Sequence, residues 1–355
     1  MGTRGVPARY GGFETAVEEI GSRLANGGND VVVYCRSEGP EEYRGMQRVR
    51  LGSVRRRSLE TLSHALISVV HVLRNRPDVV VMFNAANAVL LPLLRAARIP
   101  VVVHVDGLEW KRAKWGPLAR RWYRISERLS ARWGDAVIAD ARGIQRYYAE
   151  VHSITARYLP YGSQAVQLDE VHLTKRGLTI NGFHLLVARF EPENHVFEIV
   201  TAYARSDARL PLVVVGSTPY GERYAERVRM AGHGDERVVF LGAVYDQAEL
   251  DSLYAGARTY LHGHSVGGTN PSLLRAAGAE TFVLSYDVEF NREVLGDGAW
   301  YFKQSELLTT MIEAAEADPT ILQRGRATGV AIRRRYNWDV VASSYGQLCK
   351  EMTKR

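Results

Sequence analysis

The sequence predicts an α/β protein built from two doubly wound parallel sheets. Three observations lead there. Short apolar runs rich in Val and Ile recur along the whole chain, as buried parallel strands do. Stretches with helical apolar spacing separate them, and strand–helix alternation of this kind makes layered α/β sheets. At 355 residues the chain is long enough for two such domains, each with its own core.

In chain order, the first half offers strands at Asp30–Cys35, Asp78–Phe83, Pro100–His104 and Ala136–Ala139. The second half offers Phe183–Ala188, Pro211–Gly216, Arg237–Leu241, Thr259–His262 and Thr281–Ser285. Phe13, Val17, Ile20 and Leu24 recur every three to four residues, as do Leu118, Trp122, Ile125 and Leu129, so both sets are expected to face the core of their helices. Residues 164–182 carry neither period and are expected to link the domains. The division expected is therefore 1–165, 166–336 and a last helix over 337–355 that returns to the first domain. A doubly wound domain normally places its Gly-rich turn after a leading strand. Here G-T-R-G-V-P-A-R-Y-G-G begins at residue 2, and the expectation is that an apolar strand precedes it in the natural chain.

Composition narrows the classes. Hydrophobic residues at 46% and charged residues at 24% are those of a globular protein. The most apolar stretch, Ala85 to Val105, is interrupted by Asn87, Pro92, Arg95, Arg98 and Pro100, short of the ~18 uninterrupted residues of a membrane span. M-G-T-R-G is not a secretory signal. The two cysteines, Cys35 and Cys349, form no disulfide framework or metal spacing, which fits a reducing cytoplasm. The net charge of +7 is uneven: residues 1–163 carry +10 and the remainder −3. One half is thus suited to an anionic partner, and charge alone admits nucleic acid, a membrane surface or a phosphorylated lipid.

Four segments carry functional residue types. Gly11 and Gly12 precede a helix, where free backbone N–H groups suit a phosphate or merely allow a tight turn. His104 to Trp115 follows a strand and packs Asp106, Glu109, Lys111, Arg112, Lys114, Trp110 and Trp115 into one loop. Tryptophans stack on sugar faces and carboxylates hold or deprotonate hydroxyls; the alternative is a solvated helix entry with packed tryptophans. V-A-R-F-E-P-E-N places Arg189 at a strand end, as a diphosphate ligand or an ordinary surface cation. H-G-H-S-V-G-G-T-N-P offers Gly267, Gly268 and Thr269 to phosphate oxygens, with Pro271 in a first helical turn. His262 and His264 have no third ligand nearby and read as hydrogen-bonding residues rather than a metal site.

These segments in this order resemble glycosyltransferase family 4, of the GT-B fold, in which two Rossmann-like domains face a central cleft. GTRGVPARYGGFE, DGLEWKRAKW, RFEPEN, HSVGGTNPSLL and SYDVEFNREVLG look most like its bacterial rhamnosyltransferase branch for capsule and cell-wall polysaccharide. The resemblance implies a retaining, metal-independent hexosyltransferase without cofactor. It implies a nucleotide-sugar donor held by Gly11, Gly12, Arg189, Asn194, Ser265, Gly267, Gly268, Thr269 and Asn270. The acceptor side would be Trp110, Lys111, Arg112 and Lys114, with Asp106 and Glu109 as catalytic candidates. The first-guess donor is dTDP-L-rhamnose, and the acceptor a polyprenyl-diphosphate-linked or polysaccharide glycan. Two features depart from the family pattern, the glutamate pair and the phosphate-binding lysine. Of its usual glutamate pair, the first position is Gly267 and the second, a ribose ligand, is Arg275; the usual phosphate-binding lysine is Asn194.

Arg55-Arg56-Arg57 lead into Leu59, Leu62, Leu66, Val69 and Leu73, and Arg120, Arg121, Arg124, Arg128 and Arg132 crowd a helix with Trp122 and Trp133. Basic helices with aromatics suit the inner face of an anionic membrane, or else pack on the sheet with charges in water. Competing readings are a non-catalytic sugar-nucleotide or glycan binder, which Arg275 favours, and a GT-B sugar-nucleotide epimerase. Nucleic acid finds no recognisable binding module.

Overall fold

In the computed structural model the chain forms two compact units, residues 1–162 with 338–355, and residues 163–337. The structure describes residues 1–8, 11–54, 60–105, 107–112, 115–217 and 222–354.

The first unit runs α1 (Gly12–Asn26), β1 (Val32–Cys35), β2 (Glu42–Tyr43), β3 (Met46–Arg50), α2 (Glu60–Asn75), β4 (Val80–Phe83), α3 (Leu91–Ala96), β5 (Val101–Val105), α4 (Pro117–Trp133), β6 (Ala136–Ala139), α5 (Arg142–His152) and β7 (Arg157–Tyr158). Strands β4, β5, β6 and β7 pair in that order, all parallel. A smaller sheet has the order β1-β3-β2, in which β2 is antiparallel to β3. Every side chain of β5 is buried, as expected of a strand covered by helices on both faces. The backbone of residues 1–4 joins both sheets: Phe83 donates to the Met1 carbonyl (2.9 Å) and Arg36 to that of Arg4 (3.0 Å).

The second unit runs α6 (Glu170–Thr174), β8 (His184–Val187), α7 (Val196–Ala204), β9 (Leu212–Val215), α8 (Glu222–Ala231), β10 (Val238–Gly242), α9 (Gln247–Gly256), β11 (Thr259–His262), α10 (Pro271–Gly278), β12 (Phe282–Tyr286), α11 (Glu289–Leu295), β13 (Trp300–Phe302), α12 (Ser305–Ala317) and α13 (Thr320–Arg335). Its sheet, β10-β9-β8-β11-β12-β13, is parallel throughout. Strand order reverses between β8 and β11, and the crevice at the carboxyl ends of two such strands is where open α/β sheets bind ligands. The last helix, α14 (Trp338–Thr353), belongs to the first unit and packs along α1.

All nine expected strands form, within two residues at each end. Two expectations change. Leu118, Trp122 and Ile125 do not face the core: Leu118 is 85% exposed and the other two are also exposed. Helix α4 packs instead through Tyr123, Ser126, Glu127 and Ser130, because two serines let the Ala-rich 3₁₀ turn Ala85–Leu90 come close. In α2 likewise, Leu66 is exposed while His64, Ala65, Ser68, Val69 and Val72 are buried. Residues 164–182 are not a bare linker. Asp169 caps α6, whose Leu173 is buried against Gly256 of α9.

Candidate active site

In the second unit the loops after β8 and β11 are stitched together. Ser265 donates both its amide (2.9 Å) and its hydroxyl (3.0 Å) to the Glu193 carbonyl. His195 donates Nδ1–H to the Gly263 carbonyl at 2.7 Å. A side chain on Gly263 would meet the Asn194 carbonyl at 2.2 Å, so only glycine lets the two strands' exits run this close. Arg189 leaves this junction partly exposed, with Glu191 its carboxylate neighbour at 3.6 Å. Asn194 is buried and donates its side-chain amide to the Arg189 carbonyl at 2.8 Å, bracing the turn that carries the guanidinium.

The loop beyond Ser265 opens a backbone face. Gly267 has φ +142°, a conformation L side chains rarely adopt, and nothing lies within 4 Å of where its Cβ would be. Gly268 and Thr269 are buried behind it. Asn270 caps α10, accepting from the Ser272 amide (2.9 Å) and hydroxyl (2.7 Å), and Pro271 is the first residue of that helix. The open face of Gly267 and the start of α10 therefore stand on the loop that is bonded to the Arg189 turn. A helix start with a glycine-rich approach suits a phosphate group.

Behind this loop, His262 is fully buried and stacks on His264 at 4.6 Å. Burial pushes its pKa down to about 3, so it stays neutral. Asn291 donates to the carbonyls of His264 (3.0 Å) and Tyr286 (2.9 Å), tying the loop to the SYDVEFNREVLG segment. Sequence reasoning missed Asn291 as a brace, and its place as the seventh residue of that motif was the available signal. Arg275 turns to α9. Its guanidinium binds Asp251 (2.7 Å) and the Gln247 side chain (2.9 Å) and lies over Tyr254.

In the first unit, Gly11 is exposed at the cap of α1 and Gly12 begins the helix. Glu14 accepts from the Arg4 amide (2.9 Å) and Glu18 from the Ala8 amide (2.7 Å), so carboxylates of α1 hold the Gly-rich segment. Burial raises the Glu14 carboxyl above its usual range, against the opposing Arg4 amide. In the tryptophan loop, Glu109 forms an ion pair with Arg112 and accepts from the Trp115 indole at 3.3 Å. Trp115 packs on Tyr123, and Trp110 lies under the Arg124 guanidinium at 4.4 Å, with the exposed Lys111 nearby. Asp106 and Lys114 lie outside the described residues, as do Arg55-Arg56-Arg57 and Leu59. Among the described residues, no group of three His, Cys, Asp or Glu is placed to hold a metal ion.

Residues 11–162 match the family model of the glycosyl transferase 4-like domain, and residues 181–328 that of glycosyl transferases group 1. No curated protein matches the sequence. Among solved structures, HepE of Anabaena in complex with UDP-glucose is similar over 98% of both chains, with a TM-score of 0.80 and 14% identity. Sucrose-phosphate synthase of Thermosynechococcus elongatus is similar over 97% of this chain and 95% of its own, with a TM-score of 0.78 and 19% identity. WaaG, a glycosyltransferase involved in lipopolysaccharide biosynthesis, is similar over 98% of both, with a TM-score of 0.74 and 16% identity. At these identities the solved structures speak for the fold, while the two family models together span most of the chain and speak for the chemistry. The chain is a glycosyltransferase of the GT-B fold.

Proposed function

We propose that the protein transfers a deoxyhexose, first of all L-rhamnose from dTDP-L-rhamnose, to a lipid-linked or polysaccharide acceptor in cell-surface glycan synthesis. The transfer retains anomeric configuration and uses neither metal nor cofactor. The observation that carries this reading is the bonded junction of the Arg189 turn with the Gly267–Asn270 loop. A guanidinium, open glycine amides and a helix start on one framework suit the charge that grows on a departing diphosphate. The UDP-glucose held by HepE supports a nucleotide-sugar donor and makes uridine the rival base. Asp106 is the residue we assign to the acceptor hydroxyl, with Glu109 second.

The membrane side of the reading draws support from α4. Leu118, Trp122 and Ile125 are exposed beside the exposed Arg120, Arg121, Arg124 and Arg128. An apolar and aromatic stripe edged by arginines suits the headgroup layer of an anionic bilayer, where a polyprenyl-diphosphate acceptor would sit. Among the described residues no helix is long and apolar enough to cross a membrane, so contact would be peripheral. A second reading, an impaired donor binder, is favoured by Arg275, whose guanidinium stands where a ribose-binding carboxylate is usual.

The test is a thermal-shift panel of dTDP, UDP and GDP with their sugars, followed by transfer and hydrolysis assays with the ligand that stabilises most. Preference for thymidine compounds with turnover supports the proposal. Stabilisation without turnover selects the binder, and preference for uridine compounds overturns the donor. Co-sedimentation with anionic vesicles, reduced in Trp122→Ser, tests the membrane contact; equal binding to neutral vesicles would sink it.

A further inference from the structure

His195 stands where the exits of β8, β11 and β12 meet. It follows the turn Pro192–Asn194 and leads into α7, with φ +49° and ψ +32°. That left-handed conformation comes most readily to glycine and asparagine, so surrounding contacts must hold a histidine in it. Two contacts do. The imidazole Nδ1 lies 2.7 Å from the Gly263 carbonyl beyond β11. Its ring stacks on Tyr286 at the end of β12, with centroids 4.2 Å apart and planes 16° from parallel. A carbonyl oxygen only accepts, so Nδ1 carries a proton. Tyr286 is itself held, since its ring meets Phe302 edge-on at 5.7 Å and its carbonyl accepts from Asn291 at 2.9 Å. The stack therefore sets the plane of the imidazole, and that plane turns Nδ1 to Gly263.

This bond is one half of a two-way clasp. From the β8 loop His195 donates to Gly263, and from the β11 loop Ser265 donates its amide and hydroxyl to the Glu193 carbonyl. Arg189 lies on the chain entering the clasp from β8, and Gly267 to Asn270 on the chain leaving it toward α10. Two supports for one diphosphate act together only while their spacing is kept, because a loosened loop must be ordered again on binding.

We propose that His195 is a positioning residue: its Nδ1–H, oriented by Tyr286, fixes the loop 263–270 against the Arg189 turn. The consequence for nucleoside diphosphate affinity rests on the proposed function, whereas the clasp itself is read without ligand. Three variants separate the contacts. In His195→Asn the side-chain amide sets an N–H as far beyond Cβ as Nδ1 is, and asparagine accepts the backbone conformation. His195→Phe keeps a ring for Tyr286 without the N–H, and a cavity of about 280 Å³ beside the imidazole leaves room for it. His195→Gly relieves the backbone and lacks both contacts. Deuterium exchange of the full chain without ligand should quicken in residues 263–270 of His195→Phe and His195→Gly. It should stay near wild type in His195→Asn, and the strands of the second unit should keep their protection in all three. A merely structural loss would quicken the strands as well, and asparagine would not undo it. Calorimetric titration with dTDP and UDP should show affinity lowered roughly two- to tenfold in His195→Phe and His195→Gly, the worth of one hydrogen bond, and nearly unchanged in His195→Asn. If His195→Phe does not fold, His195→Gly carries the same expectation. Unchanged exchange of the loop in His195→Gly, exchange in His195→Asn as fast as in His195→Gly, or quickening spread over the whole unit overturns the proposal. Wild-type affinity in a variant whose loop has quickened also overturns it. If no nucleoside diphosphate binds the wild type while exchange behaves as expected, the nucleotide-sugar reading is refuted and the clasp stands.

Discussion

Asn194 donates its side-chain amide to the backbone carbonyl of Arg189, at 2.8 Å and out of solvent. The two residues therefore divide one task. Arg189 presents charge, and Asn194 fixes the turn that aims it. Arg189→Ala should weaken diphosphate binding roughly ten- to hundredfold, the loss of charge-assisted hydrogen bonds, and leave stability nearly unchanged. Asn194→Ala should cost roughly 0.5–1.5 kcal/mol of stability by removing one buried hydrogen bond from the Arg189 carbonyl, which keeps the one from the Glu191 amide (2.8 Å), and weaken the same ligand as a consequence. Urea unfolding beside dTDP and UDP titration separates the two. Equal destabilisation by both variants contradicts the division.

Glu109 is engaged by Arg112 and the Trp115 indole. Glu109→Gln should loosen the loop and lower turnover modestly, mostly through the acceptor KM. Asp106→Asn should lower kcat by roughly 10²–10⁴-fold if it handles the acceptor proton. Steady-state kinetics on both variants decides it, and intact kcat in Asp106→Asn removes the residue from the mechanism.

Arg275 is bonded to Asp251 and Gln247 on α9. Its truncation to alanine should cost about 1 kcal/mol or less, since the pair is partly exposed. Nucleotide affinity should stay within a small factor of the wild type. A large loss on calorimetric titration would show that the guanidinium reaches the ligand itself.

Acid should destabilise the protein before the carboxylates respond. His104 and His262 have pKa values pushed down to about 3 by burial, and His64 to about 4. In the unfolded chain these imidazoles take up protons below about pH 6.5, and in the native state they do not. Their contribution is present above pH 6.5 and is lost as pH falls toward 4 and 3, by roughly 2 kcal/mol for each by pH 5. Glu127 works in the opposite sense: its folded pKa is raised, so its contribution is full below about 4.5 and is lost as pH rises through 7. Three histidines outweigh one glutamate, and the urea midpoint should drop from pH 7 to pH 5. A midpoint that holds or rises would contradict the neutral, buried imidazoles.

Much of the frame was legible in the sequence because apolar, Val-rich runs announce buried strands. Strands β2, β3, β7 and β13 did not. Met46–Arg50 carries Gln47, Arg48 and Arg50 among its five residues, with Arg48 on the buried side, and Glu42–Tyr43, Arg157–Tyr158 and Trp300–Phe302 have only two or three residues each. The buried face of α4 was misread for a different reason. Apolar period points to the core when bulk does the packing, but here Ser126 and Ser130 permit a closer approach than leucine would, and Leu118, Trp122 and Ile125 face water while Leu129 is half-buried. At the site, glycine and arginine motifs named the loops. The partners that orient them, such as the carbonyls of Arg189, Glu193 and His264, are backbone atoms that no side-chain pattern advertises.

The Tyr345 hydroxyl is bonded to His104 at 2.8 Å across 241 residues of chain, from the last helix to the central strand of the first unit. During synthesis that strand emerges early, yet its histidine waits for the helix until all of residues 163–337 have been made. The unit that starts first is therefore completed last, with the groove for α14 open while its neighbour folds. A chain stopped at residue 337 would have a finished second unit and an unfinished first one.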